Sequence, residues 1–230
     1  MYQVWFDGRS SREYRLLGTR PDMPCAGYVY ESKTIPGRDG ELLIRRNNLQ
    51  DMELPVDFAF LCRKDEWQSR FREAKAWLLS GGTELIFEDD PEMYYRVKKV
   101  EIDTAERIAK RAGTFTASFL VEGAQYYLSG KKGTDYARLP YNPGIEAHPT
   151  YIIKGEGVCT ITVNGKSVTV NVGQNAMLDT HRMLCYRTDG TVNNTIMNGK
   201  YEDIYLKPGK NEISISSRFS MTVVPNWRCI

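Results

Sequence analysis

Side chains that commonly do chemistry are sparse in this sequence. Its 230 residues include two histidines, His148 and His181. His148 stands beside Pro149 in a proline-rich stretch, and Asp179-Thr180-His181 is not followed by a second ligand at zinc spacing. A metal site on either would have to recruit Cys or carboxylate ligands from distant segments. The densest acid cluster is Glu88-Asp89-Asp90-Pro91-Glu92. Its four carboxylates could hold a hard cation or divide into a general acid and a base. Calcium loops intersperse their oxygens around a glycine, whereas Asp-Asp-Pro directly after a strand is turn chemistry. The spacing therefore favours a turn leading into Tyr94-Tyr95-Arg96. Nowhere does the chain show G-x-S-x-G, a P-loop or G-x-G-x-x-G, so neither a nucleophile elbow nor a nucleotide cradle is indicated. Fourteen tyrosines raise a carbohydrate-binding reading, because aromatic faces stack on sugars, but tyrosine also fills half-buried strand positions. Neither a cofactor nor a catalytic pair is expected.

Charge and composition exclude further classes. Thirty-one Lys+Arg offset 29 Asp+Glu, and a formal net charge of +2 gives no global field to collect nucleic acid or a membrane surface. No apolar run is long enough for a membrane span, and the first residues lack the pattern of a signal peptide. The expectation is a chain made in the cytosol. Five cysteines, an odd number without a C-x-x-C pair, point to reduced thiols rather than a disulfide framework, with Cys159 packed as a small apolar residue.

The elements that must position these residues fall into two parts. Charge density drops after the turn formers Ser129-Gly130-Lys131-Lys132-Gly133, so the reading gives one domain at 1–133 and another at 134–230. In the first, Trp67, Phe71, Ala74 and Leu78 recur at helical spacing. Asp65 is the expected N-cap, with Gln68 completing a capping box, and Gly81-Gly82 stops the helix. Strands are expected at 84–87, 95–102 and 114–121, forming a sheet with the helix on one face. Residues 103–113 read as an extended connection reaching away from that sheet.

The second part is strand-like throughout. Asn164-Gly165 marks a type I′ hairpin pairing Val163 with Lys166, Ile161 with Val168 and Cys159 with Val170. That register buries Cys159, Ile161, Val168 and Val170 on one face. Further strands are expected at 183–187, 201–206, 212–216 and 221–224, giving an antiparallel sandwich or jelly roll.

Taken in order, several of these features resemble the distal tail proteins of long-tailed phages. In the first part they are Ile35-Pro36-Gly37-Arg38-Asp39-Gly40-Glu41-Leu42, the helix end Ala76-Trp77-Leu78-Leu79-Ser80-Gly81-Gly82, and the Asp-Asp-Pro turn before Tyr94-Tyr95. In the second they are Asn142-Pro143-Gly144, Ile161-Thr162-Val163-Asn164-Gly165-Lys166 and Leu206-Lys207-Pro208-Gly209-Lys210-Asn211-Glu212-Ile213. The resemblance implies a mainly β, non-enzymatic structural protein with one helix. It implies a ring-forming N-terminal hub domain and a galectin-like β-sandwich outside it. It also implies a homohexamer at the virion tail tip, assembled in the host cytoplasm, that joins the tail tube protein to a tail-associated fibre or lysin protein. Receptor-binding proteins can attach to the outer domain, DNA passes through the lumen without specific binding, and no membrane is involved. Gly37, Arg38, Asp39 and Gly40, a tight loop presenting one cation and one anion, are the subunit-interface candidates. A carbohydrate-binding module contacting cell-wall polysaccharide is the alternative reading.

Overall fold

The computed structural model describes residues 2–230. The chain is mostly β with one helix, and its contacts divide it into two compact units, Met1–Gln125 with Ile230 and Tyr126–Cys229. The division falls ahead of the Ser129–Gly133 turn formers. A 3-10 turn at Leu128–Lys131 in the second unit holds the start of that stretch, and Gly130 in it lies against Trp227 so closely that a side chain would not fit.

The first unit begins with three short strands, β1 (Val4–Phe6), β2 (Arg9–Ser10) and β3 (Leu16–Gly18). The hairpin β4 (Tyr28–Thr34) and β5 (Glu41–Leu49) follows, then β6 (Met52–Leu61) and helix α1 (Trp67–Leu78). The unit closes with β7 (Glu84–Phe87), β8 (Met93–Ile102), β9 (Glu106–Ala109) and β10 (Ala112–Tyr127). The main sheet runs β2-β1-β7-β8-β10-β6-β3, with β9 also paired to β10, while β4 and β5 form a separate two-stranded sheet.

Strict alternation builds the core. Met52, Leu54, Val56, Phe58 and Phe60 on β6 share a face with Val121, Phe119, Ala117, Phe115 and Gly113 on β10, and every side chain of this face is buried. Helix α1 covers that face. Its Trp77 ring stacks on Tyr14 with centroids 4.7 Å apart and meets Phe6 edge-on at 6.2 Å. The two helix indoles also satisfy their N–H groups: Trp77 Nε1 donates to the Phe6 carbonyl at 3.3 Å, and Trp67 Nε1 to the Ala112 carbonyl at 3.2 Å. Gly113 makes room for this packing, because a Cβ there would sit 2.6 Å from both the Phe60 ring and the Trp67 indole.

Two details differ from the sequence reading. The helix cap is Glu66 rather than Asp65, and no side chain caps it, because the chain already turns at Arg63–Glu66 through the Glu66 N–H to Arg63 carbonyl bond of 3.1 Å. Residues 103–113 do not leave the sheet. Asp103 bonds Thr116, and β9 folds back antiparallel on β10 with an irregularity between Ala112 and Thr114.

The second unit holds β11 (Thr134–Asp135), β12 (Thr150–Val163), β13 (Lys166–Asp179), β14 (Leu184–Tyr186) and β15 (Met197–Asn198). It ends with β16 (Ile213–Ile215), β17 (Ser220–Val224) and β18 (Arg228–Cys229). Its frame is the β12–β13 hairpin. Asn164 and Gly165 take positive φ of 51° and 83°, and the pairing is Val163 with Lys166, Ile161 with Val168 and Cys159 with Val170, as the Asn-Gly turn requires. The far half of the hairpin pairs β17 at Thr150–Lys154 and β14 at Met177–Asp179. The turn half pairs β16 at Ile161–Val163 and β15 at Thr169–Val170. Between the halves, Gly155 and Gly157 adopt φ of +147° and +105°, opposite Gln174 and Val172. The same face stays buried through the bend, so Tyr151, Ile153, Cys159, Ile161, Val168 and Leu178 enter one core. The expected strand at 201–206 is instead a 3-10 turn at Tyr201–Ile204, followed by a single bridge from Leu206 to Ala147. Its Ile204 carbonyl accepts the buried Tyr151 hydroxyl at 2.7 Å.

Removing a ring from the first core should be costly. Phe119→Ala deletes a fully buried side chain that meets Phe6 at 5.5 Å. It should lower the unfolding free energy by about 3–5 kcal/mol in urea titrations followed by tryptophan fluorescence.

Candidate functional site

The four interface candidates sit at the tip of the β4–β5 arm. Pro36 and Gly37 form a turn closed by the Arg38 N–H to Ile35 carbonyl bond of 3.2 Å, and Gly37 and Gly40 both take positive φ, 80° and 76°. Gly37, Arg38, Asp39 and Gly40 are all exposed, and neither Arg38 nor Asp39 forms an ion pair within the described chain. The arm itself is held by short-range contacts. Glu31 pairs with Arg46 and, at 3.5 Å, with Lys33, so its carboxyl is held below the usual range by the Arg46 guanidinium first. Arg45 lies 3.5 Å over the Tyr28 ring. None of its residues belongs to the main core, yet Tyr30 is 54% exposed and Leu43 62% exposed. An unaccompanied two-stranded ribbon with bare apolar side chains is marginal in water, and a partner surface would complete it.

The acid cluster is a pair of tight turns, Asp90 N–H to Phe87 carbonyl and Met93 N–H to Asp90 carbonyl, both 3.2 Å. Its charges are largely spoken for. Asp89 receives Arg20 at 2.8 Å and the Tyr2 hydroxyl at 2.6 Å, and Glu88 accepts the Gln3 N–H at 2.7 Å and faces Arg12 at 3.6 Å. Burial, then Asp89 and Glu92, raise the Asp90 carboxyl. Among the described residues, no three His, Cys, Asp or Glu side chains gather as a metal ion would need.

The two histidines, far apart in sequence, come together in the second unit with ring centroids 6.1 Å apart. His148 stacks on Tyr205 at 4.1 Å, and its Nε2 lies 2.9 Å from the guanidinium of Arg228, a side chain only 7% exposed. Arg228 Nε donates to the Glu146 carbonyl at 2.6 Å, so the cluster anchors β18 to the segment preceding β12. No sequence spacing could reveal it, since its members are brought together only by the closed sheet. The buried thiols are similarly structural: burial pushes Cys159 and Cys185 up to about 11, and neither is in a disulfide.

The motifs that carried the family resemblance prove to be clamps. Asn142 is 1% exposed; its Nδ2 donates to the Ile145 and Lys207 carbonyls at 2.9 and 3.1 Å, and its Oδ1 accepts the Gly144 N–H at 3.0 Å. Gly144 must be glycine, because a Cβ would lie 2.0 Å from the Arg228 carbonyl. Asn211 closes the Pro208-Gly209 turn through both Lys207 backbone groups at 2.8 Å, while Asn164 in the hairpin turn donates to its Oδ1.

Similarity to known proteins follows the same outline. Residues 10–121 match the family model of the phage tail protein RIFT-related domain. No curated protein is similar to the chain in sequence. The crystal structure of the Dit protein of phage SPP1, described as a paradigm of the hub adsorption apparatus in phages infecting Gram-positive hosts, superposes with a TM-score of 0.66. That superposition covers 97% of this chain and 98% of that one at 16% identity. A chain of the phage P2 baseplate in its activated, calcium-bound conformation superposes with a TM-score of 0.50 at 9% identity, covering 100% and 97%.

Clamp and tip should respond differently to substitution. Asn142→Ala should cost about 1–3 kcal/mol by stranding buried carbonyls, whereas the double change Arg38→Ala, Asp39→Ala should shift stability by less than about 0.5 kcal/mol, both read from thermal and urea unfolding. Residues 10–121 thus match a phage tail domain, and over its full length the chain takes the fold of the SPP1 Dit protein.

Proposed function

We propose that this chain is the hub of a tail tip, a homohexameric ring that joins the tail tube protein to a tail-associated fibre or lysin protein. The observation that carries the reading is end-to-end likeness to a tail hub protein, through both compact units rather than through a single shared domain. In this reading the first unit builds the ring and the second faces outward, where receptor-binding components attach. DNA passes through the lumen without specific contact. Its role is architectural rather than enzymatic, and the acid cluster and histidine pair are parts of the scaffold.

The β4–β5 arm supports the ring. Tyr30 and Leu43 need cover that the chain does not supply, and the tip offers Arg38 and Asp39 without internal partners. An arm laid on a neighbouring subunit would bury the first pair and satisfy the second. Cyclic closure also covers sheet edges that a lone subunit leaves open.

Native mass spectrometry with negative-stain imaging across a concentration series tests the proposal. The expected result is a six-chain mass and a ring with a central hole. A single-chain mass well above micromolar concentration, even with the tube protein present, would count against it.

A further inference from the structure

One end of the main sheet is polarised. The turn between β9 and β10, the end of β6 and the approach to α1 bring together Arg63, Lys64, Arg107, Lys110 and Arg111. Lys64, Asp65, Arg107 and Lys110 line one cleft, where the Arg107 guanidinium lies 5.7 Å from the centre of the Trp67 ring, on the helix side of the sheet. The Arg111 carbonyl accepts the Cys62 N–H at 2.9 Å, which fixes it beside Arg63. None of the five cations forms an ion pair within the described chain, although Arg12, Arg20, Arg70, Lys98 and Lys99 in the same unit all do.

The opposite face carries the opposite sign. Asp57 pairs across the sheet with Thr116, and Glu106 with Thr114, on the side away from the buried Phe58 and Phe115. Asp57, Asp103 and Glu106 line a second cleft with Thr114 and Thr116. No cation lines it, and among the described residues the Asp57 carboxylate accepts only the Thr116 hydroxyl, at 2.6 Å. Alternation along β9 separates the two signs, since the neighbouring side chains of Glu106 and Arg107 leave the strand on opposite sides.

We propose that this sheet end forms a head-to-tail contact between copies of the chain, the basic helix side of one meeting the acidic cleft of the next. The inference rests on the ring reading above and names the surfaces that would close it. Complementary charge selects the second copy as occupant. Because the two patches face away from each other, a two-fold dimer cannot engage both in one interface, whereas a heterologous contact repeats around a ring. Exposed charges contribute little singly, but a cluster of unpaired cations opposite unpaired carboxylates orients the encounter and penalises wrong registers.

Charge reversal in two halves tests the contact. Arg107→Glu with Lys110→Glu cancels the net charge of the basic patch, and Asp103→Lys with Glu106→Lys makes both patches basic. All four side chains are exposed, so thermal melts should match the parent chain. Each variant alone should need at least about tenfold higher concentration than the parent to assemble. An equimolar mixture should recover multi-chain species, more weakly at about 1 M salt than at about 0.1 M. Variants that assemble as the parent does, or a mixture that fails to recover, would overturn this interface and leave the ring standing. A parent chain that never assembles would overturn both.

Discussion

A β-strand can bury only every second residue, and that constraint governs the molecule. Along β6 and β10 it commits one face to an aromatic and aliphatic layer under helix α1, which leaves Glu53, Asp57, Thr114, Thr116 and Ser118 on the other. The same rule runs through the bent β12–β13 hairpin, where one face stays buried on both sides of the glycine pair. Charge is thereby excluded from the layers that hold each unit together. It collects on sheet backs, turns and hairpin tips, the places where another chain can reach it.

Where the constraint acts locally, the sequence is legible. Asn164-Gly165 determines its hairpin register because both residues tolerate positive φ and a two-residue loop admits one pairing. The α1 stripe is legible for the same reason, although Trp77, which makes more ring contacts than any stripe residue, lies just off it. Legibility fails where partners are distant. Strand β6 alternates cleanly, but Pro55 in its middle argues against a strand; the structure accommodates it because β3 pairs only with Phe58–Phe60. Residues 201–206 have strand-like composition and still turn, with the Ile204 carbonyl accepting the Tyr151 hydroxyl from another element. The β4–β5 arm has weak alternation because it has no core beneath it to impose one.

The motifs that made the family visible are not the residues that would contact partners. Asn142, Gly144, Asn164 and Asn211 are conformational necessities: each satisfies backbone groups at a turn or allows an approach that no side chain could share. Such positions mark a fold because few residues can replace them. Tip residues such as Arg38 and Asp39 carry no internal obligation, so in the proposed ring their identities would be set by what lies opposite.

Ion-pair bookkeeping then distinguishes scaffold from surface. Around the β7–β8 turn, Arg12 and Arg20 answer Glu88 and Asp89, and across the sheet Lys98 answers Asp51. These exposed pairs add little stability, but they cancel the local field, so the densest run of acids in the chain attracts little from outside. At the β9–β10 end no such cancellation occurs, and the carboxylates on one face cannot reach the guanidinium groups on the other through the sheet between them. The small net charge of the whole chain, +2, suits the proposed self-contact, in which the two signs lie apart on opposite faces. The unpaired groups at this end are thus spread over faces that point away from each other, the arrangement that the proposed head-to-tail contact would use.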